Sequence, residues 1–202
     1  MRRLLVRSPH VPFGRRVILK GRLTMPGANP IQDAELEVWR KTGLPNAPWQ
    51  RVGTVRTSRT GRFRYRAGRG PSRTLRFRYP GTQTIRSKVS DVDIRVHSSS
   101  SIRVGPRRVL NGDYATFHGR VRGRPFPAAG KLVELQVFTR RRWRTFAQPR
   151  ANPQTGLWRY SYRFEAVSGR VTFRFRARIR KETDFPFELG RSRQVRVTVR
   201  GI

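Results

Sequence analysis

Two groups of residues in this 202-residue chain have the types and spacing to do chemistry. The first is a row of arginines at every second position, Arg174, Arg176, Arg178 and Arg180, interleaved with Phe173, Phe175, Ala177 and Ile179. In an extended strand, residues two apart share a face at a spacing of about 6.8 Å. The four guanidiniums are therefore expected on one side of a sheet. Each carries a permanent charge and a planar fork of donors that fits phosphate or carboxylate. Arg62, Arg64, Arg66, Arg76 and Arg78 are expected to form a similar face earlier in the chain. The chemistry implied is capture of a polyanion: a cell-wall polymer, an acidic polysaccharide or nucleic acid. The bland alternative is a solvated face whose charges guard sheet edges against aggregation.

The second group is His97 beside Ser98, Ser99, Ser100 and Ser101, with Asp91 and Asp93 close by. These are the residue types of a hydrolase triad. Adjacency in sequence is not triad geometry, and no nucleophile elbow is present. Asp91-Val92-Asp93 also has two carboxylates for calcium, but it lacks a glycine-turned loop and further acidic ligands. Pairing with neighbouring arginines is the simpler expectation. There is no cysteine, which excludes disulfides, thiolate metal sites and thiol nucleophiles. The three histidines (His10, His97, His118) are scattered. No catalytic residue, metal site or cofactor is expected.

Arginine alternating with aromatic residues suggests a stacking platform for nucleic-acid bases. Such a platform needs rings and cations on one exposed face. Alternation along a strand sends them to opposite faces, so these rings are expected in the core. No sequence signature of a base-reading fold is present. Trp39 and Phe138 occupy corresponding positions in two halves of the chain, and alternation puts each opposite its apolar neighbours. They are candidates for exposed ligand-binding aromatics or for cover over a hairpin.

The elements that must carry these residues are strands. The chain holds 46 Lys+Arg against 11 Asp+Glu, a net charge of +35, and 41 of the 46 are Arg. Low hydrophobic content at this charge borders on the disordered class. The placement of apolar residues argues otherwise. Period two runs through 171–180, 63–65, 75–79 and 195–199, the mark of half-buried strands. Fourteen Pro and eighteen Gly punctuate short strands, which predicts an all-β sandwich or barrel. No apolar run is long enough to span a bilayer as a helix.

The chain is also a duplicated unit. Val17-Ile18-Leu19-Lys20-Gly21-Arg22-Leu23 aligns with Ala115-Thr116-Phe117-His118-Gly119-Arg120-Val121. Glu35-Leu36-Glu37-Val38-Trp39 aligns with Glu134-Leu135-Gln136-Val137-Phe138, and Trp49 with Trp143. Thr60-Gly61-Arg62-Phe63-Arg64-Tyr65 aligns with Thr155-Gly156-Leu157-Trp158-Arg159-Tyr160, and 75–79 with 173–177. Two domains follow, 1–97 and 98–202, joined through His97 and Ser98–Ser101 as a short flexible linker. They carry +17 and +18, so the basicity belongs to the module. Each is predicted to be an immunoglobulin-like antiparallel β-sandwich of about seven strands. In the second copy these fall near 102–104, 114–121, 132–138, 143–148, 157–164, 171–180 and 193–200. Leu4–Val6 are assigned to the first strand of copy one. Inward candidates include Phe117, Leu135, Val137, Trp143, Trp158, Tyr160, Tyr162, Phe173 and Phe175.

The G-R-L/V step, the E-L-x-V strand, the following Trp and the T-G-x-F/W-R-Y turn together resemble tandem bacterial immunoglobulin-like modules. Related patterns occur in carboxypeptidase-regulatory-like and collagen-adhesin B-type repeats. Arg-rich versions resemble secreted or envelope-associated actinobacterial proteins. The resemblance covers nearly the whole chain and implies a non-enzymatic spacer or adhesive module outside the membrane, among further domains of a longer protein. The Lys–Asn isopeptide chemistry of some adhesin repeats is not implied here. Lys20 is expected to face outward, 89–96 contains no Asn, and His118 stands where Lys20 stands in copy one. Met1–Val6 starts like an export signal but is interrupted by Arg7, Pro9 and His10. The expected location is extracellular or in the cell envelope. The alternative is a cytoplasmic protein that binds nucleic acid without sequence preference. Replacing Arg174, Arg176 and Arg178 by Thr is expected to relieve like-charge repulsion and raise stability at low salt.

Overall fold

The computed structural model describes residues 9–201. The strand assigned to Leu4–Val6 lies outside the described residues. The chain separates into two compact units that divide between His97 and Ser98.

In unit 1 the strands are β1 (His10–Val11), β2 (Val17–Arg22), β3 (Glu35–Thr42), β4 (Gln50–Arg56), β5 (Arg62–Ala67), β6 (Arg73–Tyr79) and β7 (Lys88–Val96). One sheet has the order β1-β7-β6-β3-β4, and β2 pairs with β5 in the other. The β1–β7 pairing is parallel and the others are antiparallel. The expected alternation holds. Leu36, Val38, Leu75, Phe77, Val92 and Ile94 point inward from the larger sheet, and Leu19, Phe63 and Ala67 from the smaller. Phe63 and Phe77 meet across the sandwich with ring centroids 5.1 Å apart.

In unit 2 the strands are β8 (Ser99–Ser100), β9 (Arg103–Gly105), β10 (Arg108–Leu110), β11 (Tyr114–Arg122), β12 (Lys131–Leu132), β13 (Glu134–Thr139), β14 (Arg142–Ala147), β15 (Arg150–Ala151), β16 (Leu157–Arg163), β17 (Arg170–Ile179), β18 (Gly190–Arg191) and β19 (Val195–Arg200). The larger sheet runs β10-β19-β17-β13-β14, with β18 also on β17. The smaller is β16-β11-β8 with β9 on β11, and β12 pairs with β15. Phe117 and Phe175 join the two faces at 4.8 Å. The order of the larger sheet is the same in both units, strand for strand, including a parallel first pairing. The duplication read from sequence is therefore a duplication of topology, and the fold is an all-β, immunoglobulin-like sandwich.

The repeated Thr-Gly step has a backbone cause. Gly61 and Gly156 have φ of +70° and +72°, and a Cβ there would lie 2.4 Å from the Leu23 carbonyl oxygen and 2.5 Å from that of Val121. Only glycine fits both the left-handed conformation and the close approach.

Two expectations are corrected. Ser98–Ser101 is not a flexible linker but part of unit 2. Ser98 and Ser100 are buried, and the Ser98 and Ser101 amides donate to the carbonyls of Glu188 and Arg120. Trp158 Nε1 donates to Ser100 Oγ at 3.2 Å. A run of small hydroxyls suits a strand edge buried against backbone as well as it suits a linker. Trp143 and Tyr162 are not core residues either. Tyr162 is 36% exposed, and Trp143 lies on the outer face of β14, for the reason given below.

Candidate functional site

The sequence-predicted arginines divide among three surfaces instead of two. Arg62, Arg64 and Arg66 lie on β5, exposed on the outer face of the smaller sheet of unit 1. Arg64 stands opposite Lys20, and Arg62 opposite Arg22. Arg76 and Arg78 lie on β6, on the outer face of the opposing sheet. These five do not form one face, because the two strands belong to different sheets whose outer sides point apart. Arg174, Arg176, Arg178 and Arg180 share a side on β17 or at its end, as expected.

That β17 row is not a bare ladder of charges. The Arg174 guanidinium lies 4.1 Å from the Phe138 ring centroid, and that of Arg176 lies 4.1 Å from the Trp143 ring centroid. Arg176 Nε also donates to Gln136 Oε1 at 2.9 Å. Arg178 and Arg180 both reach the buried Glu134, at 3.4 and 3.5 Å. Phe138 and Trp143 face each other across the β13–β14 pairing, with centroids 5.2 Å apart. Rings and cations thus share one outer face. The alternation argument holds along a single strand, where Phe175 is core and Arg174 is outside. The outer rings come from neighbouring strands, which that argument leaves out.

Unit 1 repeats the arrangement with a different charge balance. Arg76 lies 4.1 Å from the Trp49 ring centroid. It also donates from Nε and Nη2 to the two Asp91 carboxylate oxygens, each at 2.8 Å. Arg78 meets Glu37 at 3.5 Å, and Trp39 Nε1 donates to the same carboxylate at 3.0 Å. The hydrogen bond to Asp91, with a lesser contribution from that carboxylate's charge, holds Arg76 above the ordinary arginine value, against the opposing effect of burial. In unit 2 the direction reverses for Arg176. Burial, then the charges of Arg191 and Arg178, hold it below the ordinary value.

The triad residues are spread over other duties. His97 lies against His10 in a tilted ring pair, with centroids 5.6 Å apart. Asp91 is committed to Arg76, and Asp93 accepts from Thr74 Oγ1 at 2.7 Å. Ser100 is occupied by Trp158. Among the described residues, no group of three or more His, Asp or Glu is placed to hold a metal ion. Lys20 is exposed, as the alternation predicts.

Sequence reasoning missed two features. Arg196 on β19 stands directly opposite Arg174; extending the repeat alignment to the last strand pairs it with Asp91. Lys131 is wholly buried, 2.6 Å from Glu182 and 5.2 Å from the Phe185 ring centroid. No periodicity announces it, since it precedes the regular strand.

No protein-family model matches this chain, and no curated protein matches it. Solved structures do. Over 96% of the chain, the ICAM-5 D1–D4 ectodomain fragment is similar at 17% identity and TM-score 0.48, with 51% of that fragment covered. The Yersinia pseudotuberculosis adhesin InvE is similar over 94% of the chain at 10% identity and TM-score 0.41, with 56% of it covered. Escherichia coli alpha-2-macroglobulin is similar over 96% at 12% identity and TM-score 0.38, and there the chain spans 14% of the length. The chain thus spans from about one seventh to about half of these proteins. The likenesses are of fold alone.

Proposed function

We propose that this chain is a non-catalytic pair of immunoglobulin-like sandwiches within a longer bacterial envelope or secreted protein. It serves as a structural or adhesive module whose Arg-rich sheet faces bind anionic polymers. The observation that carries this reading is the outward arginine face present in both units, with guanidiniums fixed over aromatic rings. A stacked guanidinium loses little freedom on meeting an anion, and where no carboxylate holds it, as at Arg174 and Arg176, in-plane N–H donors stay available, whereas Arg76 is already paired with Asp91. The charge of +17 and +18 per unit adds long-range attraction. The envelope location rests on the sequence resemblance.

The test is to titrate the full chain with lipoteichoic acid, heparin and DNA over a salt series. Binding to all three that weakens steeply with salt supports the reading. Absence of binding at low salt overturns it. Strong selection of one DNA sequence at physiological salt promotes the intracellular alternative.

A further inference from the structure

The two units share topology, but their outer faces have diverged at matched positions. On the larger sheet of unit 1, Asp91 stands opposite Arg76, and Glu37 opposite Arg78. In unit 2 the same register places Arg196 opposite Arg174, and Gln136 opposite Arg176. Asp93, opposite Thr74, is matched by Thr198, opposite Thr172. Three carboxylates in one unit correspond to an arginine, an amide and a hydroxyl in the other. Among the described residues, no ion pair involves Arg174, Arg176 or Arg196.

We infer that the outer face of β19, β17 and β13, centred on Arg174, Arg176 and Arg196, is a receptor for a phosphodiester chain, and that the matched face of unit 1 is neutralised by its own carboxylates. This rests on the polyanion reading above and narrows it to one surface and one ligand chemistry.

Spacing is the first argument. Directly opposed residues on antiparallel strands have Cβ atoms about 4.5–5.5 Å apart. Arg176 follows Arg174 at about 6.8 Å along the strand. Three arginines rooted this close, on flexible stems, suit anions at comparable spacing, and a phosphodiester chain carries one at every repeat. A polysaccharide in which a uronate alternates with a neutral sugar spreads its carboxylates further apart. Geometry is the second argument. The guanidinium fork binds phosphate through two parallel N–H donors, and stacking on Phe138 and Trp143 fixes the planes of two of the three forks. Each ring already carries a guanidinium, so a base must displace it to stack on the ring itself. Recognition therefore goes through phosphate, whether it comes from single-stranded nucleic acid or from a polyol phosphate.

The experiment uses the full chain and fluorescence anisotropy with two labelled probes of about 15 nucleotides, oligothymidylate and an abasic chain of the same phosphate number. Arg196→Asp sets a carboxylate opposite Arg174, as Asp91 stands opposite Arg76. Arg64→Asp makes the same charge change on the smaller sheet of unit 1. At about 50 mM NaCl, Arg196→Asp is expected to weaken both probes about tenfold or more, and to flatten the logarithmic salt slope by about 1.4, the loss of two phosphate contacts. Arg64→Asp is expected to cost less than about threefold, the long-range part alone. Asp91→Arg is expected to strengthen binding. If thermal melting shows that Arg196→Asp does not fold, Arg196→Gln serves, with a slope change of about 0.7. Equal losses from Arg196→Asp and Arg64→Asp overturn the receptor but leave polyanion binding standing. Much tighter binding of oligothymidylate than of the abasic chain overturns the phosphate-only mode. Failure of the wild-type chain to bind either probe overturns both this inference and the wider reading.

Discussion

Replacing Arg174, Arg176 and Arg178 together by Thr tests whether the β17 arginines hold the fold or strain it. Thr keeps strand propensity, so the change is in charge and in packing. The guanidiniums over Phe138 and Trp143 are partly exposed, worth about 0.5–1 kcal/mol each. The Arg176 bond to the buried Gln136 contributes about 1.5 kcal/mol, the low end for a charged donor. Arg178 is one of two partners of Glu134, which is 4% exposed, and Arg180 stays in place. Loss of Arg178 leaves one oxygen of that buried carboxylate without its cation and costs about 1–3 kcal/mol. Against these stands relief of the Arg174–Arg196 repulsion, at most about 1 kcal/mol. The balance is a loss of at least about 2 kcal/mol. For a domain of this size that lowers the melting temperature by roughly 10 °C. Scanning calorimetry of the full chain at about 20 mM NaCl, where screening is weak, reads it. The sequence alone predicts the opposite sign. A higher melting temperature for the triple variant would show that stacking and pairing contribute little and that repulsion dominates.

Three further outcomes follow from local geometry. Gly61→Ala and Gly156→Ala should each destabilise their own unit by about 2 kcal/mol or more, through left-handed strain and a clash with a carbonyl oxygen, measured by urea unfolding; a change below about 0.5 kcal/mol would contradict the close approach. The β13–β14 turn holds Arg140 and Arg141 at φ of +46° and +62°, so Arg140→Asn with Arg141→Gly should stabilise by about 1–2 kcal/mol in the same assay, and a loss would mean that the arginine side chains anchor the turn. Lys131 is held below the ordinary lysine range by burial, against the opposing pull of Glu182, Asp184 and Glu134. The unfolded chain therefore binds more protons between that lowered value and the ordinary range, and this site makes stability rise with pH through the window. Lys131→Met should remove that rise, and an unchanged pH profile would refute it.

Period two and the Thr-Gly, Glu-Leu and Gly-Arg matches made the strands and the duplication legible, because each has a local cause. A strand's inner face follows from alternation, and Gly61 and Gly156 are fixed by their own backbone. The outer faces were not legible in the same way. What lies beside Arg76 or Arg174 depends on which strand is the neighbour and on its register. The sequence places Asp91 fifteen residues from Arg76, and Phe138 thirty-six from Arg174. Trp143 was misplaced for that reason: its partner Phe138 faces outward on the adjacent strand. Ser98–Ser101 failed differently, since small polar residues suit a linker and a buried edge equally.

Which guanidiniums meet the anion can be read directly by NMR. Two-dimensional ¹H–¹⁵N spectra of the arginine Nε–H groups and tryptophan indoles would be recorded as the abasic phosphodiester chain is added to the full protein. The largest shifts are expected at Arg174, Arg176, Arg196 and the Trp143 indole, while Arg76 and the Trp39 indole, held by Asp91 and Glu37, move little. Equal shifts across Arg62, Arg64, Arg66 and Arg76 would contradict it, and would leave a uniformly sticky cation in place of a receptor.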